Sequence, residues 1–170
     1  PPQKTPACRR ALKGIRAVYN TPMTEPTCAC FRNDAFELAR LEYWRIFLHP
    51  VQDYLGRCFI ALIRHEEDFL ALTGAERDDL WEAARRLRAA QAALFQPDHY
   101  NYQVLGNSLR HVHMHFTPRY SSPREFAGVT IEDEHWGTWP YPATVGRPQE
   151  WLQAVIAALG QRLSQEGASP

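Results

Sequence analysis

Along the chain the first clear pattern of apolar and polar positions is a pair of strand-like runs, residues 36–41 and 44–48, and the two residues between them predict a β-hairpin. A loop carrying Pro50 and Gly56 follows, and the nearly continuous apolar run 58–63 predicts a central strand. Over residues 75–95 the period changes to that of a helix, with Leu80, Ala84, Leu87 and Leu94 on one face. Thr73 and Glu76 have the spacing of a capping box before it, and Pro97 supplies a stop. Two more strands are predicted over 100–105 and 111–117, joined by residues 106–110, with Pro118 ending the second. A loop rich in Trp, Pro and Gly runs on to Pro148, and its segment 136–141 reads as packing on the sheet. A last helix, from Gln149 to about Gln165, turns Leu152, Val155, Ile156 and Leu159 towards the body.

Strands that first appear as a hairpin, mixed with helices, argue for an α+β domain around a mainly antiparallel sheet. A chain of 170 residues that is 45% hydrophobic can bury one full core, so a single domain is expected. Within it, residues 1–34, with Pro1, Pro2, Pro6, Pro22 and Pro26, read as an N-terminal arm holding one short helix near 8–19. Residues 35–120 form the core, and 121–170 a C-terminal loop and helix packed on it. With 19 basic and 19 acidic side chains the formal charge is zero. That balance excludes the single-sign field of a protein that wraps nucleic acid or lies on an anionic membrane, and leaves room for a small anionic ligand. No apolar run reaches the roughly 20 residues of a membrane span, and the first residues lack a signal-type apolar segment, so a cytoplasmic location is expected. The 4 cysteines are too few for a disulfide scaffold; free thiols are expected, with Cys58 a small buried hydrophobe.

Residues 101–119 carry the chemistry. Alternate side chains of a strand share a face, so His111, His113 and His115 line one side, while Val112, Met114 and Phe116 turn to the core. One metal held by all three is disfavoured: the outer two Cα atoms would lie about 13 Å apart at roughly 3.3 Å per residue, whereas a zinc ligand nitrogen lies about 2 Å from the ion. A row of imidazoles suits an extended anion such as a phosphate chain. A neutral imidazole can attack phosphorus while a protonated neighbour stabilises charge on the leaving oxygen.

The run H-V-H-M-H-F-T-P-R, preceded by N-Y-Q-V-L-G-N-S, resembles the histidine-triad (HIT) family of nucleotide hydrolases and transferases, whose signature is H-φ-H-φ-H-φ-φ with φ apolar. Thr117 departs from it at the last position, and the resemblance covers about residues 31–120. It implies a HIT-like fold: a mainly antiparallel sheet of about five strands, a long helix packed on it, and here an additional C-terminal helix. It also implies a homodimer. In such a protein His113 would attack the α-phosphate to give a nucleotidyl-histidine that water resolves, His111 would orient His113, and His115 would position the phosphate and the leaving-group oxygen. Ser108 matches a position that hydrogen-bonds phosphate or leaving group. Asn101 matches a phosphate-binding amide, in a linker one residue shorter than usual, with Asn107 a neighbouring candidate. His49, seven residues before Gly56, stands where relatives often carry a ribose-contacting Asn.

His115, where transferases commonly carry Gln, favours hydrolysis. The implied substrate is a small nucleotide conjugate, a nucleoside phosphoramidate or dinucleoside polyphosphate, cleaved to release a nucleoside monophosphate. The alternatives are a nucleotidyl transferase and a catalytically weak nucleotide-binding or sensor module. No cofactor is expected to be required, and no nucleic-acid or membrane partner. Some relatives hold structural zinc through C-x-x-C, a histidine after the central strand and the first triad histidine. The equivalents here are Cys28, Cys30, His65 and His111, but the C-x-C spacing is less suited to tetrahedral chelation, so no metal is expected.

Overall fold

A computed structural model of the chain describes residues 30–31, 34–140 and 146–166. The short helix expected near 8–19 lies outside the described residues. The strands β1 (Glu37–Arg40), β2 (Trp44–Leu48), β3 (Cys58–Leu62), β4 (His99–Gln103) and β5 (His113–Arg119) form one antiparallel sheet in the order β1-β2-β3-β5-β4. The long helix α1 (Gly74–Phe95) links β3 to β4. A small hairpin, β6 (Arg124–Phe126) and β7 (Val129–Ile131), precedes the last helix, α2 (Gln149–Glu166). This is the α+β architecture that the periodicity predicts. No described helix is long and apolar enough to cross a membrane.

Alternation along the strands gives the sheet two unlike faces. Trp44, Ile46, Leu48, Cys58, Ile60, Leu62, Val112, Met114 and Phe116 are buried on one of them, beneath the helices. Helix α1 lays Leu80, Ala83, Ala84 and Leu87 on that core, and α2 adds Trp151, Leu152, Val155, Leu159 and Leu163. The capping box at Thr73 and Glu76 is formed as expected, and Gln96 ends α1 in the left-handed conformation just before Pro97. Leu94 and Ile156, expected on buried faces, are only partly buried. Phe95 takes the inner position at the end of α1 because it fits under Gly56, where a Cβ would come within 2.7 Å of its ring.

Three further expectations are corrected. Strand β5 starts at His113, not His111, and passes through Pro118 to Arg119. The Arg119 carbonyl accepts from Asp98 N–H on the β4 side. Pro118 therefore turns its nitrogen to the other side, where the ladder with β3 has already ended at the Cys58–Phe116 pair, and no ladder hydrogen bond is lost. The loop after Pro118 holds the β6–β7 hairpin, closed by the two residues Ala127 and Gly128, both with positive φ (47° and 75°). Cys30 and Phe31, at the end of the segment read as the arm, lie against the sheet, with the Phe31 ring 5.4 Å from that of Phe59 and Cys30 Sγ 3.9 Å from His65 Nδ1.

The opposite face carries the candidate site. Register puts Arg45, Ala61 and His113 in one row across it, and Phe47, Phe59, His115 and Gln103 in the next. His49 N–H donates to the Arg57 carbonyl, carrying the β2–β3 ladder one step beyond Leu48 and Cys58. Next along, His49 stands by Arg57 and Thr117 pairs with Asn101, and carrying the β3–β5 register one residue past the end of its ladder brings the two pairs into line.

Candidate active site

Strand period brings the His113 and His115 rings side by side, their centroids 4.9 Å apart. His113 Nδ1 lies 2.7 Å from the main-chain carbonyl oxygen of His111. A carbonyl only accepts, so Nδ1 carries the proton and Nε2 keeps its lone pair. That tautomer is the one a nucleophile requires. His111 thus meets His113 through its main chain, while its own ring turns away. Nε2 of His111 lies 2.7 Å from the Leu62 carbonyl and must donate to it, which leaves a lone pair on Nδ1, an atom buried with no hydrogen-bond partner.

Around that atom stand Cys30 and His65. Cys30 Sγ is 3.9 Å from His65 Nδ1, and one ligand atom from each of Cys30, His65 and His111 lies within 4.8 Å of the others. One thiol and two imidazoles form a donor set suited to zinc, and the orphaned Nδ1 of His111 fits a ligand role. Cys28, the remaining member of the expected set, lies outside the described residues.

The imidazoles of this face are held neutral. Burial lowers the pKa of His113, and it lowers His115 to about 4, with His113 and Arg57 adding to the effect. His111 falls to about 4, mainly by burial. His49 falls to about 3, through burial and then Arg57, against an opposing hydrogen bond to the Val51 carbonyl. An ordinary histidine titrates near 6.5, so burial works against the protonated neighbour expected from the sequence.

His49 is partly buried with its ring 6.2 Å from that of His115, so it stands beside the triad and is not an exposed loop residue. Asn101 also faces it, and its Oδ1 accepts from Arg119 Nη1 at 2.7 Å. The same guanidinium grips Asp133 through Nε and Nη2, at 2.7 and 3.1 Å, and donates to the carbonyls of His135 and Thr138. A guanidinium has no acceptor, so the amide can turn only its oxygen to Arg119, and Nδ2 is the donor it keeps for a ligand. Asn107 and Ser108 are exposed in the connection between β4 and β5 and make no hydrogen bond among the described residues. Trp136 and Trp139, expected to pack on the sheet, are 43% and 60% exposed. Their loop is held by main-chain carbonyls on Arg119, which frees the indoles from a packing role.

Sequence reasoning missed three residues here. Phe31 stacks on Phe47 and presents its ring to His111 and His113, at 4.9 and 5.5 Å. Arg45 anchors it, donating to the Phe31 carbonyl at 3.0 Å, with its charge met by Glu37 and Asp34. Phe31, Phe47 and Phe59 make a flat apolar wall beside the triad. The other two are Arg57 and Arg119. Proximity of Phe31 to Cys30 was its only signal in sequence; the arginines gave none before register was known.

The family model for the HIT domain matches residues 32–122. No curated protein matches the chain. A histidine triad protein from Sinorhizobium meliloti 1021 is 16% identical, with a TM-score of 0.62 over 75% of this chain and 88% of its own. A hypothetical histidine triad nucleotide-binding protein from Sulfolobus tokodaii strain 7 is 12% identical, with a TM-score of 0.60 over 76% of this chain and 84% of its own. The diadenosine triphosphate hydrolase of Plasmodium falciparum, solved with cyclomarin A, is 12% identical, with a TM-score of 0.52 over 78% of this chain and 77% of its own. At such identities the likeness is one of fold. The family match itself spans more than half of the chain and takes in the whole histidine row, and on that ground the chain belongs to the histidine-triad (HIT) family.

Proposed function

We propose that the protein is a nucleotide hydrolase that cleaves a small nucleotide conjugate at its α-phosphate. The observation that carries this reading is the His111 carbonyl on His113 Nδ1, which presents Nε2 of His113 as an unprotonated nucleophile. The Nε2 lone pair forms a bond to phosphorus, and the bond to the leaving group breaks with its electron pair on the departing atom. Water then displaces the histidine and releases the nucleoside monophosphate. His115, beside His113, and the Asn101 amide support phosphate binding, and the wall of Phe31, Phe47 and Phe59 suits a flat nucleobase. Phosphorus NMR on a nucleoside phosphoramidate and a dinucleoside polyphosphate tests it. Wild type is expected to release nucleoside monophosphate, and His113→Ala to lose at least about 1,000-fold in rate. Undiminished turnover in His113→Ala would overturn the mechanism; binding without cleavage by wild type would favour a sensor module.

A second reading concerns metal. The C-x-C spacing argues against zinc, but the convergence of Cys30, His65 and His111 on one point argues for it more strongly, because it is the donor atoms that must meet. A structural zinc on these residues, with Cys28 as the expected fourth ligand, would fasten the 28–31 segment to the end of β3. It has no part in the chemical step. Protein purified without added zinc should contain about one ion per chain, and Cys30→Ser should lose it and melt at a lower temperature. Metal-free wild type of full stability rules the site out.

A further inference from the structure

Arg57 is a cation that the site has not yet used. Its backbone is fixed on both sides: N–H donates to the Tyr54 carbonyl at 2.9 Å, and C=O accepts from His49 N–H at 2.9 Å and Gln52 Nε2 at 2.7 Å. Two residues later Phe59 pairs with His115, so Arg57 lies on the triad face, level with Thr117 and Asn101. Nε and Nη1 of its guanidinium are buried and have no hydrogen-bond partner. The two buried arginines of this face are fully answered, Arg45 by Glu37 and Asp34, Arg119 by Asp133. No ion pair between Arg57 and a carboxylate is formed among the described residues, and Asp53 stands near enough to offset part of the effect of burial on the guanidinium.

Buried guanidinium donors are costly to leave unmet, and an anion brought from outside meets them with charge-assisted hydrogen bonds. Across Thr117 stands Asn101, whose Nδ2 is the donor left to it once Arg119 holds Oδ1. The row lies two residues past His115, about 7 Å along the strand. We propose that Arg57, together with the Asn101 amide that Arg119 holds in place, forms an anion subsite one row beyond His115, and that this subsite takes a phosphate of the leaving group. The inference rests on the nucleotidyl-hydrolase reading and deepens it.

When His113 attacks, the bond from the α-phosphorus to the bridging oxygen breaks and the electron pair stays on the departing phosphate. A guanidinium beside that phosphate balances the new charge with no proton transfer. An amine leaving group carries no such charge and gains less from the guanidinium. The site therefore selects conjugates whose leaving group is itself a phosphate or polyphosphate.

The test compares wild type with Arg57→Met and Arg57→Lys on diadenosine triphosphate and adenosine 5′-phosphoramidate, with calorimetric binding of inorganic tripolyphosphate and thermal melting alongside. In Arg57→Met the ratio of kcat/KM for the triphosphate over the phosphoramidate should fall at least about 30-fold, with Arg57→Lys recovering part of it. Tripolyphosphate binding should weaken at least about tenfold in Arg57→Met, whose Tm should be no lower than that of wild type. An unchanged ratio, or a lowered Tm with equal loss on both substrates, assigns Arg57 to the framework and overturns the proposal. Wild type that cleaves neither substrate but binds tripolyphosphate through Arg57 removes the hydrolase reading and leaves the subsite standing. Turnover by wild type with tripolyphosphate binding indifferent to Arg57→Met does the reverse.

Discussion

The chemistry at the triad depends on which nitrogen of each ring is occupied. His113 is committed by a main-chain carbonyl, so its nucleophilic tautomer does not depend on the side chain at 111, whose ring points to Cys30 and His65. Burial of neutral imidazoles has a price in acid. His49 and His115 titrate at about 3 and about 4 in the folded protein. Both would titrate near 6.5 when unfolded. Their folded pKa values are depressed, so the unfolded chain binds more protons between these limits, and their contribution is complete above pH 6.5 and is lost as pH falls towards 4. Urea denaturation should show wild type losing on the order of 1–3 kcal/mol per histidine between pH 7 and pH 4.5. Glu76, held down at about 2 chiefly by Arg64, gives up its own contribution only below pH 4.5, so that window reports the histidines. A His49→Asn, His115→Asn double variant should have a flatter profile; a slope equal to wild type would remove burial as the cause.

Elements were legible wherever a hydrophobic period ran long enough to be seen. The five strands of the main sheet, α1 with its capping box, and α2 follow from alternation and from the helical stripe, to within a few residues at their ends. The β6–β7 hairpin did not, because strands of 3 residues are too short to show a period and its only signal is the Ala127-Gly128 turn. Pro118 was read as a terminator because the sequence does not say which side of a strand a nitrogen faces. The site divides in the same way. The histidine row is a local pattern and could be read directly, as could His49 and Asn101 through the family resemblance. Arg57, Arg119 and Phe31 enter only through register and through contacts distant in sequence, such as Arg119 with Asp133 and Arg45 with Phe31. Asn107 and Ser108, expected to touch phosphate, sit exposed in the connection between β4 and β5.

At the scale of the molecule, the strand order leaves β4 at one edge of the sheet. Tyr102 on it, and Val104 and Leu105 just after it, are 48%, 40% and 45% exposed. An open edge flanked by apolar side chains is a template for pairing, and the homodimer implied by family resemblance would cover it. Sedimentation should give twice 19.6 kDa for wild type, and Val104→Arg with Leu105→Asp should shift it to the monomer. Monomeric wild type at about 50 μM, or a double variant that stays dimeric, places no interface at this edge. The sheet also sorts its residues by face, odd-numbered positions of β5 serving the triad and even-numbered ones the core through Pro118. Two histories can therefore be written on one strand. A lineage of such chains can drift to a new leaving group by changing residues along one side, while the side beneath passes on the same fold unaltered.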